Sequence, residues 1–199
     1  QELEDVQRFF ADPGVLEELA IEDLARSRNL GRRHYAERAA LIARVPEQVR
    51  DKLEILRSAP APDRLLRQHI YTAHSVELGH TLARLGTLSA EATRRLRSVG
   101  RGRRFEEEIL PRLQDRPALS AEPSQRPSRI EPSKIARRES ERQETLEVAA
   151  QLYVLGFELD LAPLAAGQRG RRLDLPTTPF ARVRCWRDPV AAQSSAPIR

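Results

Sequence analysis

The sequence has little of what builds disulfides, metal sites or membrane spans. A single cysteine, Cys185, excludes an internal disulfide, and no clustered histidines accompany it to bind a metal. No apolar run approaches the ~20 residues needed to cross a bilayer. The opening residues, Gln1 to Asp5, are too polar and acidic for a signal peptide. We therefore expect a cytoplasmic protein that does not contact a membrane and has no metal or cofactor.

Aromatic residues are also scarce, at 5% of the chain beside 40% hydrophobic residues, which is typical of a protein with a modest core. The net charge of +5 comes from an arginine-rich segment between Arg94 and Arg142. That segment has one aromatic residue, Phe105, to stack on bases, and it shows neither a helix-turn-helix nor a zinc pattern. We therefore expect no nucleic-acid partner and keep a basic nucleic-acid-binding or adaptor protein as the third alternative.

The beginning of the chain predicts helices around one short strand. A helix through Phe10 stops at Asp12-Pro13-Gly14, and a second helix ends on Gly31, which suits a left-handed cap. Arg38 to Val45 predicts a short buried strand, and Glu47 to Leu56 has the apolar spacing of a further helix.

The middle of the chain predicts more helices. Asp63 to Leu85 predicts one long helix that bends near Ser75. Ser89 is placed to cap a short helix through Leu96, and Glu106 to Leu113 predicts one or two further turns.

A connector rich in proline, serine and arginine then precedes the last ordered part. Residues 116 to 132 have too few apolar groups to offset the entropy of ordering, so we expect them to be disordered. Glu139 to Leu155 carries an apolar stripe at helical spacing, and Phe157 to Leu161 alternates at period two, which favours a strand.

Residues 173 to 186, which we call the strap, are the most distinctive stretch. Pro176 and Pro179 remove backbone donors and keep the residues before them extended, so this stretch is neither helix nor central strand. Large apolar side chains, including Phe180 and Trp186, alternate there with arginines. Because a lone extended chain cannot bury such groups against itself, the strap is expected to lie on another surface.

Two separate stretches resemble the linkers of modular polyketide synthases. Leu175 to Trp186 resembles the motif that closes the post-acyltransferase linker. Leu152 to Leu161 resembles an earlier part of that linker and leads through Gly167 and Gly170 into Arg171-Arg172-Leu173, so this match is continuous from about Glu147 to Trp186. Near the other end, Asp23-Leu24-Ala25, Asn29 to His34 and Arg38-Ala39-Ala40 resemble the linker between ketosynthase and acyltransferase. Two motifs of one linker system in the right order are a stronger signal than either alone.

The resemblance implies a non-catalytic linker unit with an α+β fold. Its small antiparallel sheet, covered by helices, would contain both Arg38 to Val45 and Phe157 to Leu161. A helical and basic, partly disordered insertion and an extended C-terminal strap complete it. The implied parts are a first linker half (1–57), an insertion in place of an acyltransferase body (58–138), a second half with the strap (139–188) and a disordered tail (189–199).

The resemblance also implies the partners. A ketosynthase domain would lie beside the unit, with a discrete acyltransferase and an acyl carrier protein as further partners. The residues expected at the interface belong to the strap: Leu175, Pro176, Thr177, Pro179, Phe180, Arg182, Arg184 and Trp186.

No catalytic residue is predicted. An acyltransferase needs a Gly-His-Ser-x-Gly elbow that exposes its serine, and none occurs. Gly79-His80-Thr81-Leu82-Ala83 has threonine instead and lies within a predicted helix. His69, His74 and His80 lack the i, i+4 spacing that places two metal ligands on one helical face. A truncated, degenerate malonyl-type acyltransferase is the second interpretation of the chain.

Overall fold

The chain folds as a mostly helical α+β protein with two short antiparallel strand pairs, which confirms the predicted fold class. The structure is a computed structural model that describes residues 2–12, 14, 19–30, 37–58, 60–114, 132–165, 171, 173 and 175. The helices are α1 (Glu2–Phe10), α2 (Ile21–Leu30), α3 (Pro46–Arg57), α4 (Pro62–Arg67), α5 (Leu78–Leu85), α6 (Ala90–Val99), α7 (Gly102–Glu108), α8 (Leu110–Gln114) and α9 (Pro132–Val154). The strands are β1 (Ala39–Leu41), β2 (Ile70–Thr72), β3 (Gly100–Arg101) and β4 (Glu158–Leu159), and a 3-10 turn follows at Ala162–Ala165.

The strand pairing differs from the expectation. β1 pairs with β2, with Ala40 opposite Tyr71, and β3 pairs with β4, with Gly100 opposite Leu159. The two strands expected to share one sheet therefore lie in two separate sheets, and the expectation of a single sheet is wrong. Each finds a partner in the middle of the chain, where β2 and β3 are too short to show a period-two pattern.

The prediction of one long helix over Asp63 to Leu85 is also wrong, because β2 lies between two shorter helices, α4 and α5. After α4 the backbone of His69 adopts a φ of 52°, in the left-handed region, and this turns the chain into β2. A turn then closes where Ser75 N donates to the carbonyl oxygen of Thr72 at 3.0 Å. Ile70-Tyr71-Thr72 is β-branched and aromatic, which suits a strand, and the burial of Ile70 and Tyr71 overrides the helical spacing.

Other predicted elements agree with the structure. Ser89 caps α6 as predicted, since its Oγ accepts a hydrogen bond from Ala92 N at 3.2 Å. The helix predicted from Glu139 is α9, which begins earlier, at Pro132. The cap at Gly31, the connector up to residue 131 and the tail at 189–199 lie outside the described residues.

The largest hydrophobic cluster lies between α5, α6, α7, α8 and the second half of α9. Its fully buried members are Leu85, Ala92, Leu96, Val99, Ile109, Leu113, Val148, Leu152 and Phe157. Most of the cluster therefore comes from the segment expected to be an insertion. The division of the chain into linker halves and insertion stays a prediction, and residues 78–113 within that insertion have a core of their own with α9.

A second cluster joins the two ends of the chain. Phe10 of α1, Leu24 of α2 and Leu53 of α3 pack around Leu175 of the strap, and all four are buried. A third cluster joins Tyr71 of β2 to the last turns of α9. Because α9 also packs against α5, α6, β1 and β4, it is the element around which the others are arranged.

Backbone amides cap the C-terminal end of α9, since Gly156 N donates to the carbonyl oxygen of Tyr153 and Phe157 N to that of Leu152, both at 3.1 Å, with Gly156 at a φ of 88°. Two arginines then bond to carbonyl groups at and just after this end. Arg38 donates to the carbonyl oxygens of Tyr153 and Phe157 at 3.2 and 3.1 Å. Arg104 of α7 donates to the carbonyl oxygen of Leu155 at 3.0 Å, and its guanidinium lies 4.2 Å from the centre of the Phe157 ring. In the described part of the chain, no helix is long and apolar enough to cross a membrane.

Glycine positions provide a matched test of this packing. A Cβ added at Gly100 would lie 1.9 Å from the ring of Phe105, which is buried and cannot move away cheaply, whereas a Cβ at Gly79 of α5 meets nothing within 4 Å. We expect Gly100→Ala to destabilise the protein by about 1–3 kcal/mol, and Gly79→Ala to stabilise it by up to about 1 kcal/mol. Chemical denaturation of both variants measures this. Equal stability of the two variants would contradict the packing described for Gly100.

Candidate functional site

The site predicted from the sequence is the strap, and the structure describes its beginning. Arg171, Leu173 and Leu175 are described. The remaining residues of the predicted interface lie outside the described residues: Pro176, Thr177, Pro179, Phe180, Arg182, Arg184 and Trp186. The structure therefore shows how the strap is anchored.

Two side chains of α2 hold the backbone at the start of the strap. Arg171 N donates to Oδ1 of Asp23 at 2.5 Å, and Leu173 N donates to Oγ of Ser27 at 2.7 Å. Four residues of a helix advance about 6 Å, and two residues of an extended chain advance about 6.6 Å. The spacing of Asp23 and Ser27 therefore matches that of alternate amides in an extended chain. We call these two hydrogen bonds the backbone clamp.

Both side chains of the backbone clamp are buried, so losing either hydrogen bond is expected to lower the stability of the protein. Asp23 and Ser27 are each 5% exposed. A buried polar group that loses its partner costs more free energy than an exposed one, because water cannot replace the partner. Arg171 adds an ion pair to the same carboxylate, with its Nε 3.7 Å from Oδ2 of Asp23. The arginine side chain is largely exposed, so this ion pair contributes little compared with the backbone bonds.

The position of Leu175 differs from the prediction that it lies at a partner interface. It is 5% exposed and packs with Phe10, Leu24 and Leu53, while Leu173 lies partly buried beside the same cluster. Its side chain therefore belongs to the core of this chain and is not available to a partner. The physical reason is that α1, α2 and α3 each present an apolar side chain at the place where the strap begins.

Sequence reasoning identified both stretches but did not single out Asp23 and Ser27 as the residues that hold the backbone before and at the start of the strap. Asp23 belongs to the linker-like stretch near the beginning of the chain, and Arg171 lies two residues before the strap. The available signal was a pair of hydrogen-bonding residues, Asp23 and Ser27, on the same face of α2 as the apolar Leu24.

The acyltransferase-like stretch lies in a helix, as predicted. Thr81 of α5 is fully buried, and its hydroxyl donates to the carbonyl oxygen of Glu77 at 3.1 Å. His80 points into solvent, with its side chain 85% exposed. The hydroxyl is thus bound by its own helix and lies away from the neighbouring imidazole. Within the described ranges no three His, Cys, Asp or Glu side chains are grouped so that they could hold a metal ion.

A polar cleft of about 510 Å³ lies beside α9 and was not predicted from the sequence. Its charged lining comes from three distant parts of the chain: Arg44, Asp51, Lys52, His69 and Glu147. Sequence analysis missed these residues because they share no motif. They come from α3 and the loop before it, from the turn before β2, and from α9.

The Glu147 carboxylate has three polar partners in and beside this cleft. Its Oε2 accepts from Arg84 at 2.7 Å, its Oε1 accepts from Gln143 at 2.9 Å, and Nδ1 of His69 lies 3.4 Å from Oε1. Burial raises the pKa of Glu147, but the hydrogen bonds from Arg84 and Gln143 and the charges of Arg84 and His69 outweigh this effect. The pKa of Glu147 therefore lies below the ordinary glutamate value, and the carboxylate is charged at neutral pH.

The backbone clamp can be tested with single substitutions. Ser27→Ala leaves the amide of Leu173 without a partner, so we expect a loss of about 0.5–1.5 kcal/mol in stability, and Asp23→Ala should cost about 1.5–3 kcal/mol. Hydrogen exchange at residues 171–175 should become faster in both variants. Ser98→Ala is the control, since its hydroxyl is exposed and bonds only to Arg95 within its own helix. Unchanged exchange at Leu173 in Ser27→Ala would contradict the clamp.

Comparison of this chain with protein-family models, with curated proteins and with solved structures gave no match. The function is therefore argued from the residues and from the fold.

Proposed function

We propose that this chain is a non-catalytic structural linker or docking subdomain of a polyketide synthase, which packs beside a ketosynthase in the cytoplasm. The observation that carries the proposal is the backbone clamp, which joins the two linker-like stretches across a separation of 148 residues between Asp23 and Arg171. The order of the motifs and their contact in the fold support the same assignment.

The contact between the stretches is what a linker unit requires. In the synthases that the sequence resembles, one stretch precedes the acyltransferase body and the other follows it. In this chain the two stretches share a hydrophobic cluster, in which Leu24 of α2 and Leu175 of the strap pack together. A unit closed in this way brings its two ends together without an acyltransferase body between them, and a discrete acyltransferase and an acyl carrier protein are then further partners.

The anchoring of Leu175 limits where the ketosynthase can bind. Phe180 follows Leu175 by five residues and Trp186 follows it by eleven. An extended chain of those lengths reaches at most ~18 Å and ~40 Å respectively. The surface of the ketosynthase that Phe180 contacts must therefore lie close to α1, α2 and α3, and Trp186 can reach farther.

The environment of Thr81 supports the absence of acyl transfer. A nucleophile must be exposed and must contact a base, whereas the Thr81 hydroxyl is buried and donates to Glu77 within its own helix. We expect that the purified protein forms no covalent adduct with malonyl-coenzyme A and transfers no acyl group to a carrier protein. Intact-mass spectrometry measures this. An adduct that disappears in Thr81→Ala would overturn the proposal and favour the degenerate acyltransferase.

Binding to the ketosynthase tests the linker assignment directly. Trp186 is the only tryptophan of the chain, and losing an aromatic anchor at an interface commonly costs about 2 kcal/mol or more, or about thirty-fold in affinity. Arg184→Ala should mainly slow association in a salt-dependent way. We therefore expect Trp186→Ala to weaken binding to the cognate ketosynthase far more than Arg184→Ala, with an unchanged circular-dichroism spectrum. Normal binding by Trp186→Ala, or melting of the isolated protein, would contradict the interface.

A further inference from the structure

The polar cleft beside α9 contains a positive charge that the chain itself does not neutralise. Its volume of about 510 Å³ falls within the range of small-molecule sites, roughly 300–1,000 Å³. Three basic residues, Arg44, Lys52 and His69, and two acidic residues, Asp51 and Glu147, contribute to its lining. The partners of each charged group decide which kind of ligand the cleft can bind.

Both carboxylates of the cleft are already paired with arginines that do not line it. Glu147 accepts from Arg84 at 2.7 Å and also contacts His69, and Asp51 accepts from Arg50 at 2.9 Å. The Glu147 charge is compensated in this way, since its side chain is only 15% exposed. The Asp51 side chain is exposed, so water and salt screen its charge as they screen that of Arg50.

Lys52 is different, because its ammonium group has no acidic partner among the described residues. The ammonium donates to the carbonyl oxygen of Ile42, and the side chain is half-buried in the cleft. An ammonium group has three hydrogen-bond donors, so two remain for a ligand. Burial lowers the pKa of Lys52, as expected for a charge that has lost water without gaining a counter-ion.

Arg44 and His69 lie beside Lys52 in the lining of the cleft. His69 is fixed at the rim by two backbone hydrogen bonds, from its N to the carbonyl oxygen of Leu66 at 3.0 Å and from Ile42 N to its own carbonyl oxygen at 3.2 Å. Arg44 is paired with Glu139 at 3.1 Å, but both side chains are well exposed. Because an exposed ion pair is worth little, Arg44 can turn to a ligand at small cost.

We propose that this cleft is a binding site for a small anion, a phosphate monoester or a carboxylate, with Lys52 as the residue that binds it. The anion accepts hydrogen bonds from the two free donors of the Lys52 ammonium, and Arg44 adds positive charge at the rim. The inference does not rest on the linker function, since the residues that line the cleft are not those of the backbone clamp.

The two lysines of the chain, Lys52 and Lys134, make a direct test possible. In protein labelled with ¹³C-lysine, the Cε signals report each ammonium separately. Titration with inorganic phosphate and, separately, with acetate should move the Lys52 signal in a saturable way in the millimolar range. The Lys134 signal serves as the internal reference, and sodium chloride at equal ionic strength serves as the control titration. The anion with the lower dissociation constant identifies phosphate or carboxylate as the preferred group.

Calorimetry with variants adds a second readout. Lys52→Gln should weaken binding of the preferred anion roughly tenfold or more, because hydrogen bonds to a charged group commonly contribute that much. Lys134→Gln should bind the anion with the wild-type affinity. If Lys52→Gln fails to fold, the titration of the ¹³C-labelled wild-type protein still shows whether Lys52 binds the anion. A Lys52 signal that neither anion moves, or that moves only in parallel with Lys134, would overturn the proposal.

Discussion

The fold depends on how helix α9 ends. The last carbonyl groups of a helix have no partners within it, and here the amides of Gly156 and the buried Phe157 bond to those of Tyr153 and Leu152. Arg38, just before β1, and Arg104 of α7 add further donors to the carbonyl oxygens at and after this end, from two different parts of the chain. The same two arginines lie over the rings of Tyr153 and Phe157. One helix end therefore ties together both small sheets and the largest hydrophobic cluster.

The second constraint is the attachment of the strap, and it works in a different way. The clamp on α2 binds backbone amides, so it recognises an extended chain with free N–H groups and not particular side chains. Leu175 then supplies the apolar contact that fixes the position of the strap against α1, α2 and α3. The prolines of the strap come after the clamped amides in the sequence, so they remove no donor that α2 needs.

Sequence reasoning succeeded where the signal is local and failed where it depends on distant partners. The cap at Ser89 was predictable because capping needs one side chain next to its own helix. β2 was not predictable, since Leu66, Ile70 and Ala73 also fit a helical face and the competing pairing comes from β1. Leu175 was expected at a partner interface because a lone strap cannot bury itself, but the surface that covers it belongs to the same chain. The polar cleft gave no signal because its charges come from three separate segments.

The geometry of the clamp also determines how the strap responds to mechanical load. Asp23 and Ser27 follow one another along α2 in the same order as the amides of Arg171 and Leu173 that they hold. A pull along the strap in the direction of the C-terminus therefore loads both bonds in shear at the same time, and neither has to break first. A pull away from α2 would instead have to free the buried Leu175 and would then open the bonds one after the other, Leu173 before Arg171. The attachment therefore resists tension along the strap with two hydrogen bonds at once, and tension away from α2 with one contact after another.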